Sequence, residues 1–207
     1  MRKLSLVAGG LALTALLALT GCVPTAEEPI VVPGQPAADD RLVGAWYGAL
    51  EAGDRPFYLH FMKADSGRPE TYPGGMDVLM VMSSKNDDDD DGWGWLYAVS
   101  AEVAGKRYLS FEFRLDSGGE VGDDMRGFHL FSYAVASDGS LDLRAIDEDK
   151  VSALIRAGKL EGTAEEGTYF PDIRITASSA DLVAILATPD AAGLFSERRG
   201  PFKRVMP

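Results

Sequence analysis

The 207-residue chain has one cysteine, two histidines and three tryptophans. A single Cys excludes an internal disulfide and any metal centre built on paired thiolates. With only His60 and His129, a three-histidine zinc site is excluded as well. Both histidines sit in strand-like stretches among aromatic and aliphatic neighbours, not beside acids at ligand or general-base spacing. Positive charge is also scarce: 20 Lys and Arg stand against 32 Asp and Glu, a formal charge of −12. That field opposes a phosphate backbone, so nucleic acid is not an expected partner. There is no Gly-x-Ser-x-Gly elbow, no His-Glu-x-x-His and no phosphate-cradling glycine loop. No cofactor and no catalytic metal are expected.

One acidic run, Asp87 to Asp91 followed by Gly92, invites comparison with a calcium loop. Asp87, Asp89, Asp91 and Gly92 fit the opening of an EF-hand, but that loop needs a bidentate Glu at its twelfth position, and Ala98 stands there. The residues that follow, Trp93-Gly94-Trp95-Leu96, read as a strand entry and not a helix. The run is expected to be a solvated, self-repelling loop. A looser calcium site on Asp87, Asp89 and Asp91 stays open.

The N-terminus carries what the rest lacks. Arg2 and Lys3 precede an uncharged apolar run from Leu4 to Leu19, which ends in Leu19-Thr20-Gly21-Cys22. The run is at the short end of the ~20 residues that span a bilayer. A basic start, an apolar centre and a small-residue exit form the pattern of a cleaved signal. The final quartet resembles the lipobox of bacterial lipoproteins. The resemblance implies cleavage before Cys22, a thioether-linked lipid on its sulfur and acylation of its amine, hence a membrane anchor. Val23 is not the Asp that resembles an inner-membrane retention signal. The resemblance therefore implies the outer membrane, facing the periplasm, with the inner membrane or the cell surface as alternatives. Loss of Arg2 and Lys3 would leave 18 basic and 32 acidic side chains, a formal charge of −14.

Residues 22–40 then read as the lipidated Cys and a tether. Pro24, Pro29, Pro33 and Pro36 are spread among small and polar residues. Proline fixes φ and removes a donor, so the stretch is expected to be extended and poorly packed. Residues 41–207 have the length of one domain.

In that domain the apolar pattern is mostly period two. Leu109, Phe111, Phe113 and Leu115 alternate with Tyr108, Ser110, Glu112 and Arg114. Phe57, Leu59 and Phe61 alternate with Tyr58, His60 and Met62, and Leu141 and Leu143 with Asp142 and Arg144. Further strands are predicted at 42–50, 76–83, 94–103, 127–136, 169–176 and 201–205. Ala104-Gly105 and Ser137-Asp138-Gly139-Ser140 are turn signals that make hairpins of the runs around them. Two short helices come late. Asp147 caps one over 148–157, with Gly158 at its left-handed exit, and Ser178 with Asp181 forms a capping box before Leu182, Val183, Ile185 and Leu186. The class is mainly β: an antiparallel barrel, or alternatively a β-sandwich, with two helices near the C-terminus.

The first strand adds a second resemblance. Leu42-Val43-Gly44-Ala45-Trp46-Tyr47 resembles the Gly-x-Trp-Tyr start of lipocalins and related small barrels. The resemblance implies that Trp46 plugs one end of an eight-stranded barrel and that an Arg of the last strand stacks on it. Arg204, in Phe202-Lys203-Arg204-Val205, is the positional candidate. The two helices depart from the single helix that follows the barrel in that family. The expected function is a non-enzymatic envelope lipoprotein that binds a small apolar or amphipathic ligand, or an envelope protein. The alternatives are a structural lipoprotein with a filled core, and a hydrolase using His60 or His129 as base.

Overall fold

The computed structural model describes residues 24–35, 38–51, 54–64, 72–82, 92–116, 119–120, 126–165 and 172–205. Cys22 and the apolar run before it, and Asp87, Asp89 and Asp91, lie outside the described residues. In chain order the elements are β1 (Thr25–Ala26), β2 (Gly44–Gly48), β3 (Phe57–Lys63), β4 (Gly75–Met82), β5 (Gly92–Val103), β6 (Lys106–Asp116), β7 (Gly119–Glu120), β8 (Phe128–Val135) and β9 (Ser140–Ile146). Then come α1 (Glu148–Arg156), β10 (Gly162–Glu165), β11 (Asp172–Ile175), α2 (Ser179–Leu186), a single 3₁₀ turn at Pro189–Ala191, and β12 (Phe195–Arg204). No helix among the described residues is long and apolar enough to cross a membrane.

Strands β2 to β6 form a meander of antiparallel neighbours, and β8, β9 and β12 continue round to β2. The ring closes where β6 also pairs with β8, from Arg107↔Tyr133 to Glu112↔Phe128. The result is a closed antiparallel barrel of eight strands, compatible with a lipocalin-like barrel, and the sandwich alternative is set aside. The turn signals act as expected. Ala104 and Gly105 take φ of 51° and 76° between β5 and β6, a left-handed pair that matches the twist of a tight hairpin.

Period two turns each wall into an inner and an outer face. Trp46, Phe57, Leu59, Phe61, Met76, Val78, Met80, Leu96, Phe111, Leu141, Leu143 and Phe202 are buried together, and all eight barrel strands contribute to this interior. A second core lies outside the barrel. Along β5, Leu96 and Ala98 face in, while Tyr97, Val99, Ala101 and Val103 face out and are equally buried. Tyr108, Phe128, Leu130 and Ile146 join that outer face. It is roofed by α1, α2, β10, β11 and β1, through Val151, Leu160, Ile173, Ile175, Leu182 and Leu186. The helices thus cover part of the wall. Asp147 caps α1 by accepting from the Lys150 N–H, and Ser178 caps α2 by accepting from Asp181.

The expected tether is not poorly packed over its described part. Thr25 and Ala26 pair with Arg174 and Ile175 of β11 on one side and with His129 and Phe128 of β8 on the other. Ala26 and Ile30 are fully buried in the outer core. The Ile30 N–H donates to Ser110 Oγ at 3.1 Å, and the start of α2 is tied down where the Ser179 N–H donates to Glu28 Oε2 at 2.8 Å. Proline density misled because β1 is only two residues long. The prolines flank it, and no ladder donor is lost within it. Strands β1, β7, β10 and the first half of β12 were not predicted.

An Ile30→Ala variant is expected to lose about 2–5 kcal/mol of unfolding free energy, the scale of a buried Ile truncation, in urea or thermal unfolding. A stability equal to that of the parent would mean the segment is a tether after all.

Candidate functional site

The structure brings together Trp46 and Arg204, the pair that the sequence suggested. Arg204 lies directly opposite Trp46 in the β12–β2 ladder, and its guanidinium carbon sits 4.4 Å from the centre of the indole. Trp46 is fully buried, and its indole N–H donates to the Leu42 carbonyl at 2.7 Å. Arg204 also donates through Nη1 to the Val43 carbonyl at 2.8 Å and through Nη2 to the Arg41 carbonyl. Gly44 is required here for two reasons. Its φ is +123°, and a Cβ would stand 2.9 Å from Arg204 Nη1.

Beside this pair is a polar cluster that the sequence reading missed. The Tyr133 hydroxyl reaches from the interior and donates to Asp39 Oδ2 at 2.7 Å. Arg41 forks onto the same carboxylate, Nε to Oδ1 at 2.8 Å and Nη2 to Oδ2 at 2.6 Å. The Asp39 N–H donates to Ser100 Oγ at 3.2 Å. Burial pushes the Asp39 carboxyl up, but the hydrogen bonds from Arg41 and Tyr133 outweigh it, and its pKa falls below the usual carboxylate value. Burial first, and the Asp39 carboxylate second, push the Tyr133 phenol well above its ordinary value. A phenol held neutral and a carboxylate saturated by donors are poor proton carriers. The cluster fastens residues 38–42 across the barrel end, with Leu42 fully buried beneath it. The only sequence signal was Asp39-Asp40-Arg41 at the end of the expected tether.

The two histidines do not meet. His60 is exposed on the outer face of β3. His129 lies on the opposite face of its wall: it shares the parity of the interior residues Phe131 and Tyr133, is 5% exposed, and meets the Phe113 ring edge-on at 5.6 Å. Its Nε2 has no hydrogen-bond partner among the described residues. Burial lowers its pKa to about 4, so the ring is neutral at physiological pH. Among the described residues no group of three His, Cys, Asp or Glu is placed to hold a metal ion.

The outer wall opposite the roofed side is different. The registers align a row Lys203–Tyr47–Tyr58–Val81–Trp93 across β12, β2, β3, β4 and β5. A second row, Ala45–His60–Leu79–Trp95–Leu115, runs beside it to β6. Val205 adjoins this row through its N–H to the Ala45 carbonyl at 2.8 Å. Tyr47 and Tyr58 are each 41% exposed with ring centres 4.7 Å apart; Trp93 is 43% and Leu115 42% exposed. Neither row contains an acid, although the chain carries a net −12. The Ser140 hydroxyl and N–H hold the pKa of the turn residue Asp138 below its usual value, and Lys203 at the row's end adds a smaller electrostatic contribution. Among the described residues these two rows are partly to well exposed, rich in Tyr and Trp and without Asp or Glu, the composition of a binding surface.

Two outcomes follow. Arg204→Ala should lower stability by about 1–2 kcal/mol, from the lost cation on the indole and the lost hydrogen bonds, as read by denaturant unfolding. An unchanged midpoint would show that the pair contributes nothing to stability. For His129, the folded-state pKa of about 4 lies below the unfolded value of 6.5. The unfolded chain takes the proton first, so this contribution to stability is present above pH 6.5 and is lost as pH falls toward 4. The full loss is about 3 kcal/mol. The wild-type-minus-variant difference in unfolding free energy for His129→Leu should therefore change across that window and be flat above it. A difference that stays constant from pH 7 to 4 would contradict the burial argument.

No family model matches the chain, and comparison with curated proteins and with solved structures likewise finds no match.

Proposed function

We propose that the chain is an envelope lipoprotein, anchored by acyl groups on Cys22 at the outer membrane and facing the periplasm, that acts without catalysis by binding a protein partner on the outer wall of its barrel. The observation that carries this reading is the contrast between the two faces. The interior buries large side chains from every barrel strand, among them Trp46, Phe61, Met80, Phe111 and Phe202. The outer wall leaves Tyr47, Tyr58, Trp93 and Leu115 in solvent. A barrel that carries a small ligand needs interior space, and packed cores leave few voids larger than a water. The ligand-carrying reading is therefore the weaker one. A hydrolase is weaker still, because His60 and His129 point to opposite faces and the Asp39–Tyr133 pair is locked by Arg41.

The anchor rests on Leu19-Thr20-Gly21-Cys22, and the choice of the outer membrane on Val23 following the Cys in place of Asp. Cys22→Ala should abolish incorporation of labelled palmitate, and unchanged labelling would end the lipoprotein reading. For the wall, the full chain purified in mild detergent should yield no stoichiometric small molecule on native mass spectrometry and organic extraction, beyond its own acyl groups. One co-purified molecule per chain, retained after Tyr58→Ala and lost with an interior variant such as Phe61→Ala, would return the function to the barrel interior.

A further inference from the structure

We infer that the aromatic wall faces away from the lipid surface and is covered by a water-soluble protein domain with a concave, apolar face. This rests on the reading of Cys22 as the anchor and of the wall as the binding surface, and it names the kind of partner. The carrying observation is where the chain enters the fold. Thr25 and Ala26 pair with His129 and Phe128 of β8. Counted round the ring in either direction, β3 is the fourth strand from β8, so Tyr58 stands on the far side of the barrel from the anchor. Eight strands about 4.8 Å apart and tilted by about 40° give a circumference of ~50 Å. Turning Tyr58 to the bilayer would take ~25 Å of chain round the barrel. Residue 22 has only about 7 Å before β1 begins.

The side chains point the same way. Among the described residues the exposed large apolar ones are Tyr47, Tyr58, Tyr72, Trp93, Leu115 and Val205, and none is on β1, β10, β11 or the two helices. The anchor side shows ion pairs to water instead, Arg174–Glu27 at 3.0 Å and Lys159–Asp190 at 2.9 Å. A domain that set its aromatic residues into the headgroup layer would carry them beside its anchor. Curvature then gives the partner its shape. The first row crosses five of the eight strands, so a flat partner would reach only its middle. A partner that covers Tyr47, Tyr58 and Val81 together is concave. Two copies on one membrane would each hold a convex wall away from the bilayer, and those walls do not meet. Charge gives the lining. The two rows hold no Asp or Glu, but Lys203 stands beside Asp138, and Asp87 to Asp91 lead in sequence into Trp93. The matching face has an apolar floor and a basic rim.

The experiment uses the full acylated chain, whose one cysteine is taken up by the anchor. A fluorophore is placed on Tyr58→Cys or, as a control beside the anchor, on the exposed Glu27→Cys. In vesicles containing a lipid with a nitroxide headgroup, the label at position 27 should lose most of its emission and the label at position 58 should keep it. Equal quenching at the two positions would overturn the orientation. In cells, a photo-crosslinking phenylalanine analogue in place of Tyr58 should give adducts whose partner peptides come from a water-soluble domain of another protein. Tyr47→Asp and Val81→Asp, on the flanking strands, should each lower that yield by about tenfold with the melting temperature unchanged. A yield that neither variant changes would overturn the concave partner. Adducts to a second copy, or to a membrane-embedded segment, would overturn the inference and leave the wall as a binding surface. Adducts only to lipid, or none, would overturn both.

Discussion

The ladder between β6 and β8 decides whether these strands make a sheet or a tube. Without it, β6 and β8 would each present a row of unpaired N–H and C=O groups, the template on which other chains add strands. With it, the backbone of the barrel is satisfied within the ring, and each strand has one face that water does not reach. β8 bears the largest share of this work. It pairs with β6 over Phe128–Tyr133 on one side, and divides its other side between β9 at Phe131–Val135 and β1 at Phe128–His129. Where β9 peels away toward α1, β1 takes over the exposed backbone, and β11 and β10 extend the sheet outward from there.

That branch explains why one barrel has two cores. The extension and the two helices lie back over the outer faces of β5, β6 and β8, so the second half of β5 is buried on both sides. Among the described residues the opposite wall has no such roof, and Tyr47, Tyr58 and Trp93 there are exposed. The asymmetry is set by side-chain choice as well as by topology. The inner residues are mostly apolar, with His129 an exception, while the outer ones include Val99, Ala101 and Leu130 beside Tyr97 and Tyr108 under the roof, and Tyr47, Tyr58, His60 and Trp93 beyond it.

Legibility in the sequence followed the same division. Strands with one wet face announced themselves by alternation, as β6 did through Leu109, Phe111 and Phe113, and the helices by Asp147 and Ser178 at their caps. The Trp46–Arg204 pair was visible because it needs one short motif and one terminal residue. β5 beyond Tyr97 hid its two-sided burial, since a continuous apolar run does not say which side is which. β1 and β10 were too short to have a period. The Asp39–Tyr133 contact joins residues 94 apart, and nothing local encodes a partner at that distance. The start of β12 was hidden by its polar run Ser196-Glu197-Arg198-Arg199, in which Arg198 pairs with Asp142 at 2.8 Å and Arg199 pairs with Glu51.

The place of β1 has a mechanical consequence. Pro24 is buried and Thr25 is already in the sheet, so residue 22 stands no more than about 7 Å of chain from the folded body. Such a length is a hinge pin and not a leash. A pull on residue 22 would not first take up slack. It would run along β1, load its hydrogen bonds to β8 and β11 in shear at the same moment, and pass into the barrel through the strand that carries the ring closure.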